Sequence, residues 1–254
     1  MPGAKFNNYR LDSGIIKVQI SGTALQFNYA GVPNGTPWSD TLKAPTNFVD
    51  FAGATYTIGR KDSLFGQSFS LFRYYKTSST SWTIMGDDND AISITIPGTG
   101  SASIPKQAVK KIPNQILVQF PIVYGDSLLQ TSLSSLNLNV SIPPTPPLNT
   151  PINGPVTINQ ETKVNSKNIC WGTLKIKGYT DSLQTVVQRY TTTVTNNFTS
   201  TNFLINALLP GLLSGFGMTN GQAITTTTYR FWVPNKGLVM TLNADGSATV
   251  TTGL

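Results

Sequence analysis

Apolar and polar residues alternate along most of this chain with the two-residue period of a β-strand. Ile15-Ile16-Lys17-Val18-Gln19-Ile20 and Leu25-Gln26-Phe27-Asn28-Tyr29 do so on either side of Ser21-Gly22-Thr23-Ala24, which predicts a hairpin half-buried on one face. Further strands are predicted at Ala54 to Ile58, Ser68 to Tyr75, Ser81 to Met85, Ala91 to Ile96 and Gln115 to Tyr124. Ahead of these, Gly31 to Ala54 carries Pro33, Pro37 and Pro45 with Trp38, Phe48 and Phe51 interleaved, the composition of a long surface loop pinned by aromatic anchors. Asp126 to Leu136 predicts a short helix capped by Asp126 and Ser127, before Leu138 to Ile142 returns to alternation. Later strands are predicted at Val156 to Ile158, Gly172 to Tyr179, Thr185 to Thr195, Ile224 to Val233, Leu238 to Asn243 and Ser247 to Thr252. The last two flank Asn243-Ala244-Asp245-Gly246, where Asp-Gly between alternating runs marks a hairpin.

The alternation breaks most strongly at residues 143–155, where six prolines in thirteen residues remove backbone donors and favour an extended chain. Threonine use changes across this break, with 14 in the first 150 residues and 20 in the remaining 104. The predicted fold class is all-β: two β-sandwich or β-barrel-like modules, residues 1–142 and 156–254, joined by a Pro-rich strap at 143–155, with at most one or two short helices. No solenoid repeat and no heptad run is present.

Composition sharpens this picture. Charged residues make up 11% of the chain, against about 25% in ordinary soluble domains. Thr, Ser, Asn and Gln take the polar positions instead, and β-branched threonine suits a pleated, half-exposed surface. The chain has no histidine, which removes the Ser-His-Asp triad, the Cys-His pair and the imidazole metal ligand. No Gly-rich phosphate loop is present either, so the expectation is a non-enzyme without a cofactor. The net charge of +7 is spread evenly, with an excess of +3 up to Ile142 and +4 beyond it. Its densest groupings are Lys106, Lys110 and Lys111, then Lys175 and Lys177, too sparse for the basic face of a nucleic-acid binder. Cys170 is the sole cysteine, so no intrachain disulfide forms and a reducing compartment is compatible.

Few residues carry candidate chemistry. Asp87, Asp88 and Asp90 form the one dense acidic cluster and are a weak Ca²⁺ candidate, although Asp and Asn in such a run more often make a turn. Glu161, the sole glutamate, reads as a solvated surface residue, and Cys170 as a small buried one. In Leu71-Phe72-Arg73-Tyr74-Tyr75-Lys76, strand alternation points Leu71, Arg73 and Tyr75 one way and Phe72, Tyr74 and Lys76 the other. The segment Phe203 to Met218 is uncharged, apolar and interrupted by Pro210 and three glycines. It reads first as a core helix, Thr201 to Leu209, stopped at Pro210-Gly211. The alternatives are an arm buried against a neighbouring subunit, or a membrane-inserting tip between the Thr-rich strands Thr191 to Thr195 and Thr225 to Tyr229.

A histidine-free, charge-poor β protein with a Pro-rich strap predicts a part that assembles into a larger particle. The expected function is a structural component of a virus particle, a tailed-bacteriophage tail, baseplate, fibre-attachment or head-decoration protein, on general compositional similarity alone. Its partners would be further copies of itself and other virion proteins. The expected interface residues are Leu208, Leu209, Leu212, Leu213 and Phe216 on the apolar segment, with Pro143, Pro144, Pro146 and Pro147 on the strap. Met1 to Arg10 has no apolar core of signal-peptide length and no run is long enough for a transmembrane helix, so the expected route is host cytoplasm, then virion. The alternative functions are a β-pore built on segment 203–218, which brings in a membrane, and a glycan-binding module using Trp38, Tyr74 or Trp82 as stacking platforms.

Overall fold

The computed structural model describes residues 2–11, 20, 25–31, 35, 37–64, 67–96, 100–144 and 150–252. The alternating pattern becomes strand almost throughout. In chain order the elements are β1 (Lys5–Leu11), β2 (Leu25–Tyr29), β3 (Pro37–Thr41), β4 (Tyr56–Leu64), β5 (Gln67–Thr77), β6 (Ser81–Asn89), β7 (Ile92–Ile96) and β8 (Gly100–Ile104). They continue with β9 (Gln107–Gln119), β10 (Ser127–Ile142), β11 (Ile152–Ile176), β12 (Leu183–Thr199), α1 (Phe203–Ser214), β13 (Ala223–Val233), β14 (Gly237–Asn243) and β15 (Ala248–Thr252).

The strands follow the path β3-β1-β15-β14-β13-β12-β11-β10-β9-β6-β5-β4. Its two ends meet where Lys43 and Thr57 each donate a backbone N–H to the other's carbonyl at 2.9 Å. The result is a large, nearly closed, barrel-like sheet, which removes most of the open edge that a flat sheet of this size would expose.

β11 is the spine of this arrangement. At about 3.3 Å per residue its 25 residues reach roughly 80 Å, far longer than any one neighbour. Residues 152–167 pair with β10, and once β10 ends, Gly172–Ile176 pair in parallel with β2. Gly172 is required there, because a Cβ would collide with the backbone carbonyl of Leu25.

The seam between β9 and β10 is weak, with one ladder pair, Leu133 to Ile112. Two glutamine side chains substitute for the missing backbone bonds. Gln130 accepts from the N–H of Ile116 at 2.8 Å and donates to the carbonyl of Asn114 at 2.6 Å. Gln107 accepts from the N–H of Asn137 at 2.9 Å and donates to its carbonyl at 2.7 Å.

Two larger cores lie at different ends. The first gathers Cys170, Val187, Phe231, Val239, Leu242 and Val250 with their neighbours where β1, β2 and β11 to β15 converge. The second lies under α1, whose Ile205, Leu209 and Leu213 pack on Leu138, Ile158 and Phe198. A smaller cluster pairs Tyr56 and Tyr75 at 5.0 Å with Leu117, Val164 and Tyr190.

Several expectations are corrected. Residues 143–155 do not separate two sheets: β10 and β11 pair in register from Ile142–Ile152 to Ser127–Lys167, and β1 from the first half pairs with β15 from the second. Strand partners distant in sequence, invisible to local composition, knit the halves together. The predicted helix at 126–136 is strand β10 from Ser127 onwards, because pairing with β11 outweighs the helical spacing of its leucines and leaves Leu129 and Leu133 exposed. Part of the 31–54 loop is strand β3, which pairs with β1. The predicted first hairpin lies outside the described residues apart from Ile20 and β2. The hairpin around Asp245-Gly246 is present as β14 and β15, with Gly246 at φ 82°.

Candidate functional site

Inward-facing side chains of β4, β5, β6 and β9 meet those of β10 to β13 across a cavity. It has two adjoining compartments of about 560 and 460 Å³ that share Arg73, Lys111 and Gln160. Both volumes fall in the range of small-molecule sites.

Strand alternation positions the lining. On β5 the inward set is Leu71, Arg73 and Tyr75, as the sequence predicts. Tyr74 lies on the opposite face, as predicted, but is buried there, stacked on Phe51 with ring centroids 4.2 Å apart. The 45–54 loop therefore covers the outside of β5, and Tyr74 is no surface platform. On β12, Tyr190, Thr192, Val194 and Asn196 point inward. On β9 the adjacent lysines diverge: Lys110 turns outward to Asp50 at 2.9 Å, and Lys111 turns in.

Four cations and two carboxylates line the two compartments: Arg60, Arg73, Lys111 and Arg230 against Asp62 and Asp87. Arg73 is paired, donating through Nε and Nη2 to the two oxygens of Asp87 at 2.6 and 2.9 Å. Burial opposes its charge, but this two-point bond to Asp87 outweighs it and holds the guanidinium above its usual range. Arg60 and Asp62 lie on the exposed part of β4, at the rim.

Lys111 and Arg230 are different. Lys111 is buried, and its Nζ reaches Gln160 Oε1 at 3.4 Å and Thr162 Oγ1 at 3.5 Å, both at the limit of hydrogen bonding. Burial pushes its ammonium below the ordinary lysine range, Asp87 partly offsets this, and Arg73 adds to it. Arg230 lies over the Tyr190 ring, Cζ 3.4 Å from the centroid. Burial also lowers its pKa, with Tyr190 acting in the opposite sense. Among the described residues neither cation has a carboxylate within 4 Å. The hydroxyl of Ser132 on β10, opposite Thr162, is buried and has no hydrogen-bond partner among the described residues.

Supporting bonds hold the lining. Gln160 Nε2 donates to Asn196 Oδ1 at 3.1 Å, and Gln115 Nε2 donates to the Tyr190 hydroxyl at 2.9 Å. Trp232 Nε1 donates to Gln188 Oε1 at 3.1 Å, and Trp232 meets Trp82 edge to face at 5.7 Å.

The acidic cluster is dispersed along and beyond β6. Asp87 pairs with Arg73, Asp88 accepts from Asn47 at 3.2 Å and Asp90 lies 3.6 Å from Lys106. A strand sends Asp87 and Asp88 to opposite faces, so they do not converge on one cation. Among the described residues no cluster of three His, Cys, Asp or Glu side chains could hold a metal. Glu161 is on the outer face, 2.9 Å from Lys163. Cys170 is fully buried, and burial raises its thiol to about 11.

The expected interface residues divide. Asn202 caps α1, its side chain accepting from the N–H groups of Leu204 and Ile205. The helix runs through Pro210 to Ser214 instead of stopping, since Leu209 and Leu213 on either side of the proline bury on the same face. These two are core residues and not an interface. Leu208 is exposed, Leu212 half-buried, and Phe216 packs at the edge of the core and lines the larger compartment. Pro143 and Pro144 are exposed, and Pro146 and Pro147 lie outside the described residues. The flanking Thr-rich strands pair with each other in the main sheet, Thr191 with Thr227 and Thr193 with Thr225, their hydroxyls 3.0 and 2.9 Å apart. No helix among the described residues is long and apolar enough to cross a membrane.

Sequence reasoning passed over Lys111 as a member of a loose cluster and missed Arg230. The available signal was parity. Thr228, Arg230 and Trp232 share one face of β13, and Arg230 is the only charge in that strand. No protein-family model, characterised protein or solved structure matches the chain.

Proposed function

We propose that this is a binding protein that takes an anionic small molecule into the interior of its barrel. One observation carries the reading: Lys111, buried, and Arg230, half-buried against Tyr190, face the cavity without a carboxylate partner among the described residues. An isolated enclosed charge is costly to keep unless a counter-charge reaches it, and a bound anion would supply one. The role is binding, and no reaction is assigned to the cavity.

Titration with the anionic fluorophore anilinonaphthalene sulfonate tests this, read by quenching of Trp82 and Trp232, which line the cavity. Saturable binding that weakens roughly tenfold or more in Lys111→Met or Arg230→Met is expected, the loss of one charged contact. Equal affinity in the wild type and both variants, with unfolding still cooperative, overturns the reading.

A second reading, favoured by a separate observation, is the structural subunit of a virus particle that acts by self-assembly or co-assembly and resides in the virion. Its support is exposed apolar surface. Phe203, Leu204 and Leu208 on the outer side of α1 are 81%, 46% and 42% exposed, and Ile112 and Leu133 face solvent as a cross-strand pair. Light scattering over a concentration series tests it: a discrete oligomer that Leu208→Ser dissociates supports it, and a monomer at every concentration counts against self-assembly.

A further inference from the structure

The two compartments differ in a way that narrows the ligand. The larger is polar at Arg73, Asp87, Lys111 and Gln160, and apolar at its other end. There Ile158 and Phe198 belong to the core under α1, and Leu136, Phe216 and Met218 pack against that core. The apolar wall is thus continuous with the second core, and Lys111 stands at the junction of the two compartments.

We infer that the ligand is a single-chain amphiphile with a carboxylate head, the head at Lys111 and the chain in the compartment beneath α1. This rests on the anion-binding reading above and adds the chemical class. The charge of Arg73 is already paired with both oxygens of Asp87 through two of its five N–H groups, which leaves Lys111 as the cation of the larger compartment without a carboxylate partner among the described residues. Its present acceptors at 3.4 and 3.5 Å use little of its capacity. A compartment of about 560 Å³ holds roughly 18 groups of water size at ~30 Å³ each, the scale of one fatty acyl chain. A sugar or nucleotide would leave its hydroxyls unpaired against Ile158, Phe198 and Met218, which is costly.

The test is calorimetric titration of the full chain with four probes: dodecanoate, dodecanol, acetate and inorganic phosphate. Dodecanoate is expected to bind at least roughly tenfold more tightly than any other, a difference of about 1.4 kcal/mol. Lys111→Met should reduce dodecanoate affinity by a similar factor while leaving dodecanol unchanged. Met218→Gln should weaken dodecanoate without affecting phosphate, and thermal unfolding of each variant verifies that it is folded. Acetate or phosphate binding as tightly as dodecanoate overturns the amphiphile and leaves the anion site standing. Dodecanol binding as tightly as dodecanoate, or no binding by any probe, overturns both.

Discussion

The two faces of β12 and β13 are filled in opposite ways. Val187 and Phe231 are direct cross-strand partners, both fully buried in the core beneath β1, β14 and β15. One residue along each strand, Gln188 and Arg230 are again direct partners, on the face from which Arg230 and Tyr190 line the cavity. Alternation allots faces but not contents. The first face gains stability in proportion to the apolar area it removes from water. The second keeps cations whose charged state burial disfavours, so it gives up stability for recognition.

Four measurements would break or sharpen that contrast. The largest effect belongs to the dry face: Phe231→Ala should cost about 3–5 kcal/mol in urea unfolding, because a large void opens among side chains that cannot collapse into it. A loss below about 1 kcal/mol would mean that this core is no better packed than the cavity. Next, Asp87→Asn should cost about 2–3 kcal/mol, less than the 3–5 of a fully buried pair, since its side chain and that of Arg73 keep 17% and 20% exposure.

The third is a pH dependence in which the two faces have opposite signs. Cys170, on the dry face, has its folded pKa raised from 9.0 to about 11. The unfolded chain loses this proton first, so the contribution is intact below pH 9 and is lost as pH rises towards 11, on the order of 2 kcal/mol. Cys170→Ala should flatten that decline in unfolding experiments at stepped pH. Lys111, on the cavity face, has its folded pKa below 10.5. Here the folded state loses its proton first, and stability rises with pH until the unfolded lysine titrates. Lys111→Met should abolish that rise.

The smallest effect is the most discriminating. At neutral pH, without ligand, Lys111→Met should raise stability by about 1 kcal/mol, because it removes a poorly compensated enclosed charge. A destabilised variant would show that the lysine serves the fold.

Much of the strand content was legible because period two is a local signal. Arg73 and Tyr75 were assigned one face from spacing alone, and the β14–β15 hairpin followed from Asp245-Gly246. The errors occurred where distant partners decide. The leucines of 128–136 suit a helix by spacing, and only the ladder to β11 makes them strand. The prolines of 143–155 resemble a linker between modules, and only the pairing of β10 with β11, which begins at Ile142–Ile152 and includes Pro155, shows that the strands on either side belong to one sheet. Pro210 resembles a stop, and only the burial of Leu209 and Leu213 carries the helix past it.

The candidate site was the least legible part. Lys111 and Arg230 are separated by more than a hundred residues, and nothing near either one in sequence distinguishes it from a surface cation. By itself the sequence determined an all-β chain without imidazole chemistry and the parity of each strand, because these depend on composition and on neighbours two residues apart. The tertiary structure alone decided which parity faces a dry core and which a basic cavity. That choice depends on which sheet lies opposite, and the closure of a long, coiled sheet is a property of strand pairs far apart in the chain.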